Sequence, residues 1–214
     1  MPRRLGAAAA LFLAALIGTT SCSGGQSPPL AQTTATPVES SASASPATTS
    51  ASPSAAPAYK PADASGRAQN VPVPVLPEVA KAETKEGLEA FAKYWFEVLS
   101  YGYETGDVSR LDAMTSSDCQ ACAKAKQVIS GWHSDGRWLA GGRITTPSVT
   151  TTFKVAKDGN YQVAVQASQE SMAYYNADGS LSSKDPKPDD TGNLMLATFN
   201  NGSWYVHNVQ PIVG

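Results

Sequence analysis

Cys119 and Cys122 form a C-x-x-C pair in the run TSSDCQACAKAKQVISGWH, the spacing in this chain with the most chemical scope. Three chemistries use it. A zinc site needs four ligands, and beside these cysteines the sequence offers only His133 and His207 and no second C-x-x-C, so no metal is expected. A thioredoxin-like redox pair would draw on a helix N-terminus to lower its thiolate pKa, but that arrangement sets the motif directly after a buried strand, and helical patterns precede it here. A structural disulfide needs only an oxidising compartment and the short reach that i, i+3 spacing supplies, and it is the favoured reading. Acid/base chemistry has less to draw on. Glu170 and His207 are the only carboxylate and imidazole within strand-like stretches, and as a pair they would have to converge on one substrate atom. No catalytic residue is assigned and no cofactor is expected. The candidate pocket lining is Tyr94, Trp95, Glu170 and His207; the competing reading makes the Trp and Tyr residues core filler with polar tips at the rim.

The element that must position these groups is TKEGLEAFAKYWFEVLSYGYET, Thr84 to Thr105. Leu88, Phe91, Ala92, Trp95, Val98, Leu99 and Gly102 fall on one side of a 3.6-residue helix. Thr84 is the N-cap and Gly106 the stop, although Gly87 stands where a capping box would carry Glu or Gln. Asp107 caps a shorter helix, Val108 to Met114, whose Leu111 and Met114 fold back on the long one. Ser117 or Asp118 caps a third helix with Cys122, Ala125, Ile129 and Trp132 on one face.

Beyond Trp132 the period changes from 3.6 to two. Residues 135–142 read as turns around Arg137 to Ala140. Ile144 to Val155 is a strand with Pro147 marking an edge or a bulge. Asp158 and Gly159 turn it into Tyr161 to Ala167, which could run on to Tyr175. Asn176 to Gly192 reads as a polar, flexible loop. Leu194 to Phe199, the turn Asn201-Gly202 and Trp204 to Gln210 make a second hairpin. The expectation is α+β: three N-terminal helices packed on a curved antiparallel sheet of about four strands.

Upstream, Met1 to Cys22 reads as an export segment, with Arg3 and Arg4 before an apolar run from Leu5 to Ile17 that is short for a membrane span. Small residues lead to Cys22, which resembles the acylated cysteine of a bacterial lipoprotein signal. Residues 23–77, rich in Ser, Ala, Thr and Pro, are expected to be a disordered tether because the stretch to about Gln69 carries too little apolar surface to offset chain entropy, while its last part, VPVPVLP at Val71 to Pro77, is read as an extended lead-in that packs on the domain's outside. Residues 78–214 are then the globular domain, with 12 Lys and Arg against 16 Asp and Glu and a net charge of −4. No basic cluster stands out, so nucleic acid is not expected as a partner.

Two resemblances follow. The run FAKYWFEVLSYGYETGDVSRLDAM with the closing NGSWYVHNV looks like the NTF2-like superfamily, whose helices fill the concavity of a curved sheet to make a cone. More narrowly, LPEVAKAETKEGLEAFAKYWFEVLSYGYETGD followed by SSDCQAC resembles an actinobacterial lipoprotein family known as a domain of unknown function, number 6318. The first likeness implies either a binding module or a small isomerase, dehydratase or hydrolase, since fold does not decide function. The expected role is a binding or interaction module on the outer face of the cell membrane, held through acylated Cys22. Its partner would be an envelope protein, a glycan or a small apolar ligand. The alternatives are a small enzyme and, more weakly, a thiol-disulfide protein.

Overall fold

The computed structural model describes residues 57–212; the signal segment, Cys22 and the tether through residue 56 lie outside them. A 3₁₀ turn at Glu78–Lys81 leads into α1 (Lys85–Thr105), α2 (Ser109–Met114) and α3 (Gln120–Trp132). The strands follow as β1 (Trp138–Gly141), β2 (Ile144–Val155), β3 (Tyr161–Gln169), β4 (Met172–Tyr175), β5 (Leu181–Asp185), β6 (Thr191–Asn200) and β7 (Ser203–Pro211). The fold is α+β with antiparallel sheets, but the strands number seven rather than about four, in two sheets ordered β1-β4-β5 and β2-β3-β6-β7.

α1 forms where its pattern says it should. Thr84 Oγ1 accepts the Gly87 N–H at 3.0 Å, and Gly106 closes the helix in the left-handed region at φ +83° with its N–H on the Gly102 carbonyl. All seven stripe residues are buried, and Tyr94 and Phe96 join them. At about 1.5–3 kcal/mol per large apolar side chain removed from water, that face anchors the domain. It lies on the four-stranded sheet and also covers that sheet's β2 edge. Ser100 Oγ accepts the Ile144 N–H at 3.0 Å and Glu89 Oε1 accepts the Thr151 N–H at 3.2 Å, so donors that could recruit a foreign strand are already engaged.

The second sheet was not expected, and its origin is local. Gly141 and Gly142 adopt φ +81° and +71°, and a Cβ at Gly141 would stand 2.3 Å from the Ser171 carbonyl oxygen. The two glycines bend the chain sharply between β1 and β2, while Glu170 and Ser171 make the matching step between β3 and β4. The Gly142 N–H donates to Ser171 O and the Glu170 N–H to Arg143 O across this corner. What reads as turn chemistry at Arg137 to Ala140 is therefore largely a buried strand, and β3 does not run on through Tyr175 in one sheet. The polar stretch 176–192 is likewise not a plain loop: β5 pairs with β4 from Met172↔Asp185 to Tyr175↔Leu181. All five β5 residues are exposed, so no hydrophobic alternation marks the strand.

Two finer corrections concern caps and register. Neither Ser117 nor Asp118 caps α3; Cys119 does, its sulfur accepting the Cys122 N–H at 3.3 Å. Asp107 Oδ1 accepts the Ser109 N–H at 2.9 Å one residue ahead of α2's N-cap. In β2 the register shifts at Pro147 and again at Phe153, whose φ is +53°, and the second shift turns Val155 out to solvent.

The largest correction is at the N-terminal boundary. Residues 57–70 are not a free tether but, continuous with the Val71–Pro77 lead-in that packs on the domain as expected, form a strap folded onto it. Lys60 and Gln69 exchange both backbone hydrogen bonds, as do Asp63 and Gly66, giving a tight hairpin. Trp138 Nε1 donates to Asp63 O at 2.9 Å, and Arg67 Nη2 donates to Arg137 O at 2.8 Å and His133 O at 3.2 Å.

Candidate functional site

The space between α1 and the sheet is filled. Trp204 on β7 is its hub, with ring centroids 4.9 Å from Phe199, 5.3 Å from Tyr161 and 6.4 Å from Phe91. Its indole N–H donates to Ala82 O at 3.2 Å. Trp95, 2% exposed, stands edge-on to Phe96 at 5.0 Å and donates its indole N–H to Thr115 Oγ1 at 2.8 Å. Tyr94 is buried in the same cluster. Both aromatics proposed as pocket lining are thus core, with the Trp95 N–H satisfied internally as a buried indole requires.

The other two candidates lie elsewhere and apart. On β7 Trp204 and Val206 are buried and Tyr205 and His207 alternate with them, so His207 belongs to the outer side of the sheet. There its Nε2 shares a 2.9 Å hydrogen bond with Thr198 Oγ1 and its ring meets Tyr205 edge-on at 5.3 Å. Glu170 sits exposed at the step between β3 and β4. The four residues do not form one site.

Glu170 does line an open cleft of about 330 Å³, together with Tyr103, Tyr174, Met172 and Asp185. Tyr174 Oη donates to Asp185 Oδ2 at 2.7 Å. Burial and then this bond push the Tyr174 phenol up to about 12, and burial also raises Tyr103. At neutral pH both phenols remain protonated, so they present donors and ring faces rather than a base. A larger groove, about 580 Å³, runs between the strap, the outer side of α1 and the start of β2. Phe96, Tyr101 and Val71–Pro74 give it apolar wall, while Lys93, Glu97, Glu104 and Arg143 place charges of both signs around it. Tyr59 donates its hydroxyl to Glu104, and burial, then that carboxylate, push the phenol up to about 12.

Cys119 and Cys122 lie at disulfide distance, with Cα atoms 5.2 Å apart, and are 0% and 5% exposed. Attack by an external thiol requires an accessible sulfur, and burial denies it. Among the described residues no cluster of three or more His, Cys, Asp or Glu could hold a metal ion.

Sequence reasoning missed the hairpin at residues 57–70 and with it the place of Tyr59 in the wall of the larger groove. A signal was present: Tyr59 is the first aromatic residue after the signal segment, and Lys60, Asp63 and Arg67 break a Ser/Ala/Thr/Pro composition whose only earlier charge is Glu39. His133 was also passed over. Its ring packs against Gly106, where a Cβ would come within 2.6 Å of it, and its Nε2 is 2.9 Å from Tyr103 O.

Residues 57–210 match the model of a family of unknown function, DUF6318. The chain belongs to that family. The match takes in the strap, in keeping with its place on the folded domain. No curated protein matches. Among solved structures the chain is similar to the intermembrane space region of the chloroplast protein ARC6, at 12% identity and a TM-score of 0.41, over 61% of this chain and 98% of that one. It is also similar to an uncharacterized protein with a cystatin-like fold from Caulobacter vibrioides, at 14% identity and a TM-score of 0.29, over 57% of this chain and 89% of that one.

Proposed function

We propose that the protein is an actinobacterial lipoprotein, anchored on the outer face of the cell membrane through acylated Cys22, with an NTF2-like domain that binds from its surface. The observation that carries the binding reading is the filled interior. Trp204, Trp95, Phe91 and Tyr161 occupy the concavity where an enzyme of that superfamily would hold substrate, and Glu170 and His207 do not meet. What remains for recognition is the outer surface. There the 580 Å³ groove is within the usual range of ligand sites and is lined by aromatic rings with charges of both signs. An envelope protein, a glycan or a small apolar ligand would suit that lining.

Support for the anchor comes from sequence: Arg3 and Arg4, the apolar run to Ile17 and the small residues before Cys22. The test has two parts. Labelled palmitate fed to a native-type host should enter the wild type and not Cys22→Ala, which should appear in the medium; equal labelling of both refutes the anchor. A photo-crosslinking residue at Tyr101 in the groove should capture an envelope component that the same residue at Thr150 does not. Equal capture at both positions, or none at either, refutes the groove as a recognition site.

A small enzyme is the second reading, and its one supporting observation is that Glu170 shares the 330 Å³ cleft with the phenols of Tyr103 and Tyr174. That reading requires a turnover which Glu170→Gln abolishes without loss of stability.

A further inference from the structure

His133 sits where three parts of the fold meet. It follows α3 as its C-cap, its ring rests on the Gly106 turn that ends α1, and its carbonyl accepts from Arg67 of the strap. The contact at 2.9 Å between Nε2 and the Tyr103 carbonyl requires Nε2 to carry the proton, because a carbonyl only accepts. Nδ1 is then a bare nitrogen, buried and without a hydrogen-bond partner. A second proton could go only there, into a site that offers it no acceptor.

The charges around the ring make that proton less welcome still. Arg67 of the strap and Arg137 of the following turn bring two guanidiniums to the same corner. Arg137 Nη2 donates to Ser134 Oγ at 2.9 Å, and its guanidinium lies 4.9 Å above the Trp132 ring. The acids on the elements packed nearby are engaged elsewhere: Glu104 with Tyr59, Asp107 with Ser109, and Asp135, itself exposed, with Arg137 at 3.9 Å. Burial first and the field of Arg67 second hold His133 below its ordinary value, against the opposing pull of the Tyr103 carbonyl.

We propose that the strap is an acid-released clasp, in which uptake of a solvent proton at His133 Nδ1 detaches residues 57–70 from the corner formed by α1, α3 and β1. The strap is the part that yields. α1 and α3 are fixed by buried faces, whereas the strap is held by Arg67, by the Trp138–Asp63 bond and by Tyr59–Glu104, with its own side chains mostly exposed. Detachment takes the Arg67 guanidinium away from the His133 carbonyl and so from the neighbourhood of the ring, so the open state binds the proton more tightly and acid favours it. Tyr59 lines the 580 Å³ groove beside Glu104, so the same step would open that end of the groove while Val71–Pro74 stay in place. The clasp needs neither the lipid anchor nor any identified ligand.

Amide hydrogen exchange on the full-length protein between pH 7 and 5, corrected for intrinsic rates, tests this. The paired amides of Lys60, Asp63, Gly66 and Gln69 should lose protection by up to about tenfold per pH unit below about 6.5, while β3 amides keep theirs. His133→Gln, whose amide nitrogen can still reach the Tyr103 carbonyl but does not titrate, should abolish that dependence. Arg67→Gln should raise the His133 titration midpoint read by imidazole NMR and should loosen the strap at neutral pH. An unchanged acid response in His133→Gln, β3 opening in step with the strap, or an unmoved His133 midpoint in Arg67→Gln would each overturn the proposal.

Discussion

Replacing Gly87 with alanine removes a glycine from the first turn of α1, a change worth about 1 kcal/mol of stabilisation in an open helical position. Here the added Cβ would stand 2.2 Å from Ala82 O, 2.8 Å from Val79 O and 3.0 Å from Thr84 Oγ1. The first two are backbone atoms of the turn entering α1, so relief requires that turn to move. Ala82 O also accepts from Trp204 Nε1 at 3.2 Å and from the Thr84 N–H at 2.9 Å. Overpacking costs about 1–3 kcal/mol and a lost hydrogen bond to a buried indole about 1 kcal/mol more. Set against the propensity gain, Gly87→Ala should destabilise by about 2 kcal/mol. With a urea dependence near 2 kcal/mol/M, the unfolding midpoint should fall by about 1 M at unchanged slope. Gly131 in α3 is the control: a Cβ there meets nothing within 4 Å, so Gly131→Ala should raise the midpoint by up to about 0.5 M. A Gly87→Ala midpoint equal to or above wild type would refute the steric argument. The same clash accounts for the missing acidic partner in the capping box, and Gly87→Glu should also destabilise.

Three further outcomes follow from the geometry. Trp95→Phe should cost about 2 kcal/mol by leaving the Thr115 hydroxyl, 4% exposed, without its donor; Trp95→Phe combined with Thr115→Val should recover part of that loss in a double-mutant cycle. Stability should decline as pH falls below about 6.5. His133 is held below its unfolded value, so the unfolded chain binds the proton first and stability is lost between the unfolded and folded pKa values, at no more than about 1.4 kcal/mol per pH unit. Urea midpoints of wild type against His133→Gln measure that share, and a wild-type midpoint that rises on acidification would contradict it. Joint replacement of Cys119 and Cys122 by serine should lower stability by about 2 kcal/mol, the small value expected when the linked residues are only three apart, and should leave α3 folded by circular dichroism.

The long helix was legible because everything that makes it is local: the stripe, the Thr84 cap and the Gly106 stop all lie within its own length. The two hairpins were legible for the same reason, since Asp158-Gly159 and Asn201-Gly202 carry turn chemistry between alternating strands. β5 was not, because LSSKD is exposed at every position and its pairing with β4 is made by backbone groups that every sequence shares. The site suffered most. Strand alternation limited His207 to one of two faces, but the choice rests on Trp204 and Val206 being buried in the core, a fact of packing rather than period. The strap hid behind its composition, for its few anchors, Tyr59, Asp63 and Arg67, find partners on Glu104, Trp138, His133 and Arg137, far along the chain.

The sequence by itself determined the α+β class, the order of helices before strands, the buried face of α1, the family membership and the close pair Cys119 and Cys122, since each depends on residues near one another in the chain. Only the tertiary structure decided that the concavity is full, that Tyr94, Trp95, Glu170 and His207 do not share a site, and that a strap closes over the α1–α3 corner. Those outcomes turn on which buried groups meet across distant segments and on how much space is left between them, and no local pattern records either quantity.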